Sequence, residues 1–429
     1  MATDGQSPRH PVWRDPEGPT PDAPRLVGWI VLLEIKEEAM TVRPTIGTVA
    51  LIALFVSSGC DLQPTTEAAA IEAQQVVAEE ISTEYQTLRL VRIADGLEQP
   101  WSIAFIGDGR LLVSERPGRL QLISNGSMTE VSGVPEVHAQ NQGGLLDVVP
   151  HPDYGENGWI YLTYSKGDSG GTVPALARAR LEGDQLVDLE ELFESNEYTD
   201  PGRHYGSRIL FLDDGTLLMT IGDRGAEPER AQDPLDHSGT VVRLNDDGSL
   251  PGDNPLVDDE GYAPEIFSYG HRNIQGIVQH PATGEIWATE HGPRGGDELN
   301  LLEPGRNYGW PTASLGRDYG TQEQWGDGRH RPEMEGPTFE FLPTIAPSGL
   351  AVVTGGGFDD TWQGNLLAGG LRAERVLRLV VENQEVVHAE ELLPFELGRI
   401  RDVRQGPDGN IYLATGEAEG GVYRLEPID

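Results

Sequence analysis

The chain has 429 residues, with 70 acidic and 31 basic side chains and a formal net charge of −39. So acidic a surface would repel phosphates, which excludes nucleic-acid binding, and a single cysteine excludes an internal disulfide framework. The 54 glycines and 31 prolines, beside only 7% aromatic residues, point to many tight turns and hence many short strands, in one large all-β domain or two ordinary ones.

Residues 1–39 are rich in proline and aspartate, and Met40 offers a second plausible start. Translation is expected to begin there, which makes 1–39 a mis-assigned extension. From Met40 the sequence places a basic residue, Arg43, before a short apolar run, Ile46 to Val56, and then S-S-G-Cys60. The run is too short to stay across a bilayer but suits the core of an export signal. Residues 40–60 resemble a bacterial lipoprotein signal, in which Cys60 is lipidated and becomes the mature N-terminus. A buried strand with an incidental cysteine is the plain alternative. Export to a periplasmic or cell-surface position follows from the first reading, with the membrane reached by the lipid anchor alone. Residues 61–85 read as a polar tether, partly helical. Lysine occurs only at Lys36 and Lys166. An acidic, lysine-poor surface suits concentrated salt, and equally suits base composition or ordinary solubility.

Beyond the tether, in 86–429, a turn containing aspartate or glycine is followed by an apolar strand six times. The units are Asp108-Gly109-R-L-L-V-S-E, Asn157-Gly158-W-I-Y-L-T-Y, Asp214-Gly215-T-L-L-M-T-I, Thr283-Gly284-E-I-W-A-T-E, Gln363-Gly364-N-L-L-A-G-G and Asp408-Gly409-N-I-Y-L-A-T. Three continue into a further strand, at 119–123, 376–380 and 422–426. One such unit cannot bury both faces of a sheet, whereas six four-stranded sheets packed radially can. The expected fold is therefore all-β, a six-bladed β-propeller, rather than a pair of sandwiches. No amphipathic stretch of three helical turns follows residue 90. The strand near Leu88–Ile93 is placed to close the ring against the last blade.

A propeller gathers single residues from many blades at one end of its channel. Suitable loops carry Gln142, His204, the 269–311 stretch, Thr344, Arg372, and Arg399 with Arg401. The motifs Q-G-G-L-L-D, I-G-D-R-G, Y-G-H-R-N-I-Q-G, E-H-G-P-R-G-G-D-E-L-N, N-Y-G-W-P and R-I-R-D-V-R-Q-G-P-D-G-N, in this order from about residue 88 to the end, resemble the pyrroloquinoline-quinone (PQQ)-dependent glucose/sorbosone dehydrogenase family. The soluble aldose sugar dehydrogenases are the nearest branch.

The resemblance implies oxidation of an aldose sugar at its anomeric hydroxyl to a lactone, with PQQ and Ca²⁺ as cofactors. It leaves the electron acceptor open between a cytochrome and a quinone. It makes His204 the general base; on its own, the residue reads equally well as a loop histidine satisfied by backbone. Arg272 and Asn273 match contacts at the quinone end, where an arginine can also stabilise developing negative charge. Gln142 matches a polar contact near the reacting centre, and Tyr319 matches a further cofactor contact. Thr344, Arg372, Arg399 and Arg401 match residues that hold the cofactor carboxylates, a task suited to the forked guanidinium. Read singly, each arginine is a solvated surface charge. The carbonyls of Gly292 and Pro293 match ligands of the calcium ion at the quinone. Glu298 and the carbonyl of Tyr308 match a second calcium site, with Asp297 a candidate for either.

Three departures stand out. Arg203 precedes the base where the glucose-oxidising branch carries an acid, His291 replaces an amide, and Arg372 replaces a lysine. They bear on substrate and on tuning of the base. The competing readings are a calcium-dependent lactonase-type hydrolase, which would need acids and amides converging in the channel and would leave the cofactor-pairing arginines without a task, and a non-catalytic binding propeller.

Overall fold

The structure, a computed structural model, describes residues 69–70, 75–196, 198–200 and 202–428. The expected extension, signal and Cys60 lie outside the described residues. All six turn-and-strand units form strands, and each is the second strand of an antiparallel blade; every blade has a four-stranded body, to which the first and sixth add an outer fifth strand, Ala69–Ala70 and Gln75–Ser82. The second strands are Leu111–Glu115, Trp159–Asp168, Leu217–Ile221, Ile286–Glu290, Leu366–Gly370 and Ile411–Thr415. The glycine ahead of each lies in the left-handed region, at φ between 69° and 83°, which a residue with a Cβ rarely adopts.

The first strand of each blade faces the channel: Pro100–Phe105, Leu145–Pro150, Ile209–Phe211, Ile274–Gln279, Pro347–Val352 and Ile400–Gln405. These six pack on one another in order, and the sixth returns to the first, so the ring closes. Closure is completed by Thr87–Leu97, which pairs with the C-terminal strand Gly420–Ile428 inside the sixth blade. Four of the second strands are buried at every position, which explains why they read as continuous apolar runs without alternation. Among the described residues the one α-helix is a single turn, Tyr154–Asn157.

The polar tether departs from expectation. Residues Gln75–Ser82 form a strand, not a helix, and pair with Thr87–Leu97 as the outermost strand of the sixth blade. The propeller therefore starts before residue 86. Only Ala78 and Ile81 of that strand touch the core, so its hold is mainly the backbone ladder, and its sequence shows no apolar face.

The channel beneath the site is filled by charge. Arg208 is buried, ion-paired to Asp402 at 2.8 Å, and its Nε donates to the Gln275 carbonyl at 2.8 Å. Arg404 bridges Asp147 at 2.9 Å and Asp402 at 3.0 Å. The same two aspartates accept from the backbone N–H of Ile209 and Ile103, so the network stitches together the inner strands of several blades. Arg208 also donates to the Arg401 carbonyl at 3.1 Å, which connects this network to the cavity above it.

Candidate active site

At one end of the channel all six blades contribute to a cavity of about 640 Å³. Gln142, His204, Arg272, Asn273, Pro293, Tyr319, Arg399 and Arg401 all line it, so residues far apart in sequence share one wall. His291 and Arg203 line it too.

His204 sits at φ 50°, a left-handed conformation uncommon for a residue with a side chain. Its N–H donates to Gln142 Oε1 at 2.8 Å, and Arg224 holds the preceding Arg203 carbonyl. Gly222 lies directly behind it; a Cβ there would come within 2.1 Å of the His204 carbonyl oxygen. The imidazole Nδ1 donates to Asp223 Oδ1 at 2.6 Å, which leaves Nε2 as the basic nitrogen. Asp223 Oδ1 also accepts from Gly225 N–H at 2.8 Å, and Oδ2 accepts from the Trp310 indole at 2.7 Å. Burial pushes the His204 pKa below its ordinary 6.5, the Arg272 charge adds to this, and the Asp223 bond opposes without overcoming them. Burial would raise Asp223, but the His204 bond and charge, with Arg272 and Trp310, hold it below the usual carboxylate range. The result is a neutral, oriented histidine beside an ionised aspartate. The acid missing at position 203 is thus supplied from the I-G-D-R-G turn, by Asp223. Arg203 itself is exposed and donates to the Gly225 carbonyl.

The arginines define the rest. Arg272 donates to the His291 carbonyl at 3.1 Å, Arg399 to the Leu371 carbonyl at 3.5 Å, and Arg401 to Gln275 Oε1 at 3.0 Å. Arg116, also in the wall, bonds Gln99 Oε1 at 2.8 Å. Among the described residues none of these four forms an ion pair, in a chain with 70 acids. Burial pushes Arg401 down to about 9, with the charges of Arg208, Arg399 and Arg116 adding to it. The cavity is therefore short of anions. It fits a flat polyanion such as PQQ.

Two of the expected clamps stand elsewhere. Thr344 is half-buried and Arg372 exposed, and neither lines the cavity. The Arg372 N–H donates to the Ile345 carbonyl, so its segment does border the Ala346 wall.

The metal positions divide similarly. Pro293 lines the cavity, while Gly292, Glu298 and Tyr308 lie behind the wall. Gly292 occupies a turn so tight that a Cβ would meet the Gly296 carbonyl oxygen at 1.8 Å. Asp297 clamps that turn, accepting from Gly292 N–H at 3.2 Å and Ala346 N–H at 2.7 Å. Burial pushes Glu298 well above its ordinary value, with Glu290, Asp297 and Glu340 crowding it. Asn300 donates to Glu290 and Glu298, while its own buried Oδ1 has no partner. Crowded carboxylates and an orphaned amide oxygen suit a hard cation with oxygen ligands. Among the described residues no three His, Cys, Asp or Glu side chains converge on one point, so main-chain and amide oxygens would carry much of the coordination.

His291 is explained structurally. Its Nε2 bonds the Pro347 carbonyl, its N–H donates to the Asn273 carbonyl, and burial with the Arg272 charge pushes its pKa down to about 3. It is a neutral brace between two blades. Asp223 and Trp310 were hidden in quoted motifs; the signal available was their position beside glycines, I-G-D-R-G and N-Y-G-W-P.

Fold and site together define a six-bladed β-propeller with a polar, arginine-lined cavity at one end of its channel. The chain belongs to the glucose/sorbosone dehydrogenase family, whose model matches residues 97–424, and it is accordingly an oxidoreductase. It is 37% identical to an aldose sugar dehydrogenase of Escherichia coli over 80% of this chain and 93% of that one. It is 26% identical to quinoprotein glucose dehydrogenase B of Acinetobacter calcoaceticus, over 77% and 86% of the two chains. Its fold matches the PQQ-bound aldose sugar dehydrogenase of Streptomyces coelicolor with a TM-score of 0.65 at 25% identity, covering 84% and 100%.

Proposed function

We propose that this protein oxidises aldose sugars at the anomeric hydroxyl to lactones, using PQQ and Ca²⁺. One observation carries the reading: a neutral histidine, oriented by an aspartate, shares a cavity with arginines that have no carboxylate partners. The quinoprotein and PQQ-bound relatives support the cofactor, and the aldose dehydrogenases support the substrate class. Bound PQQ would supply a two-electron hydride acceptor for the sugar, and calcium a Lewis acid beside it.

The chain's own residues do the rest. Arg399 and Arg401 would hold the cofactor carboxylates with charge-assisted bonds, and Asp297 fixes the Gly292-Pro293 turn that would present carbonyls to calcium. Arg272 and Asn273 would hold the quinone end, where a fixed positive charge favours developing negative charge. His204 Nε2 takes the hydroxyl proton, and Asp223 stabilises the imidazolium that results. The acids among the wall residues are Asp223, already committed to His204, and Asp318; the wall amides Gln99, Gln142, Asn273 and Gln275 bond to protein groups, and a metal hydrolase would leave the wall arginines without a task. The electron acceptor is a redox partner of unassigned kind, cytochrome or quinone.

Reconstitution of the purified protein with PQQ and calcium, followed by dye reduction with a panel of aldoses, tests the reading. Tight quinone binding and aldose-dependent turnover are expected; absence of quinone binding would end it. Export and lipidation at Cys60 complete the proposal, and Cys60→Ser is expected to move the protein from the membrane to the soluble fraction. No helix among the described residues is long and apolar enough to cross a membrane.

A further inference from the structure

We propose that Trp310 is a positioning residue for the base: its indole N–H locks the aspartate that orients His204, and so ties the 312–328 segment of the cavity wall to the proton-accepting nitrogen. The inference rests on the proposed role of His204. Asp223 uses Oδ1 for His204 and the Gly225 N–H, and Oδ2 for Trp310 Nε1 at 2.7 Å. Donors on both oxygens, from different elements, fix the rotation of the carboxylate and with it the plane of the imidazole.

Trp310 is itself held firmly. It is 6% exposed, its N–H donates to the Gly270 carbonyl at 2.9 Å, and its carbonyl accepts from Gln232 at 2.8 Å. Its ring stacks on Trp325 at 5.3 Å, and the Arg272 guanidinium lies over it at 5.4 Å. Trp325 lines the cavity and its N–H donates to the Gly316 carbonyl, so the stack joins the 312–328 segment to the base. A phenylalanine could fill the stack. Only the indole N–H can donate to the buried carboxylate.

The charged and titratable groups around His204 are Asp223, Arg272, the neighbouring Arg203 and His291. Without the indole donor, the Asp223 charge is less shared and favours the imidazolium more. The His204 midpoint then rises and the ring is less well aimed.

Trp310→Phe, loaded with PQQ and calcium, is expected to move the acid limb of the kcat/KM profile up by about half a pH unit and to lower kcat/KM at neutral pH by about tenfold. Quinone affinity should stay within about threefold. A second readout needs no cofactor. In the full-length wild-type protein, one of the eight indole N–H resonances, that of Trp310 assigned by backbone connectivity, should move with pH at the midpoint of the His204 imidazole. An indole signal that ignores the His204 titration would overturn the proposal. So would a folded W310F whose pH limb and His204 midpoint are unchanged, even if its affinity or turnover falls. If the wild type binds no quinone, the assigned function fails, while the resonance titration still decides the role of Trp310.

Discussion

His204 holds a backbone conformation that its surroundings enforce, and Gly222 is the tightest of those surroundings. Gly222→Ala would drive a Cβ into the His204 carbonyl, and a displacement of that order costs about 10²-fold in kcat. Quinone affinity should change far less; equal losses in both would indicate a general collapse of the site. The lowered pKa sets the pH dependence. The base must be neutral, its folded value lies below 6.5, and activity is therefore lost as pH falls through a midpoint below 6.5. The same shift makes the unfolded chain bind more protons below 6.5, so stability also falls with pH there. A kcat/KM profile checks this, and a limb above 6.5 would contradict it. The clamps can be ranked as well. Arg401→Gln should weaken PQQ binding by about 10- to 100-fold, as the loss of a charge-assisted bond would. Arg372→Gln should cost severalfold at most, because Arg372 is exposed outside the wall; calorimetric titration of both separates them. Arg272 and Arg401 sit in distinctive motifs and His204 in a loop between blades, which is why their gathering at one cavity could be expected. The partnership of His204 with Asp223 was not legible, since residues nineteen apart meet only when the third blade folds.

At the scale of the element, the second strands were visible because burial on both faces leaves continuous apolar runs after a glycine turn. The strand Gln75–Ser82 was not, because an outer strand has little core to mark it. That difference predicts two truncations. Removal of residues before Thr83 should leave the propeller folded and active, with a melting temperature a few degrees lower, about the loss expected of a little-buried edge. Removal through Leu97 should abolish folding. Leu88, Leu90 and Leu97 are fully buried, and at about 2–5 kcal/mol each they match the whole stability of an ordinary domain, about 5–15 kcal/mol. Circular dichroism melts of the two proteins decide it. A folded, cooperative product of the longer deletion would contradict closure by Thr87–Leu97.

Across the whole molecule, charge is distributed to a purpose. A chain of net −39 keeps four arginines without ion-pair partners among the described residues in the wall of one cavity, and balances those beneath it, Arg208 and Arg404, with Asp147 and Asp402. Composition showed the excess of acid; only the fold shows where the exceptions gather, because they come from separate blades. The central claim is that this cavity binds a polyanionic quinone by its arginines and performs chemistry by His204, two tasks held by different residues. One comparison tests both: PQQ titration and aldose-dependent dye reduction in the wild type and in His204→Ala. In the variant, quinone affinity should stay within about threefold while turnover falls by about 10²–10⁴-fold. Unchanged turnover would rule out His204 as the base, and loss of quinone binding along with turnover would rule out the separation of the two tasks.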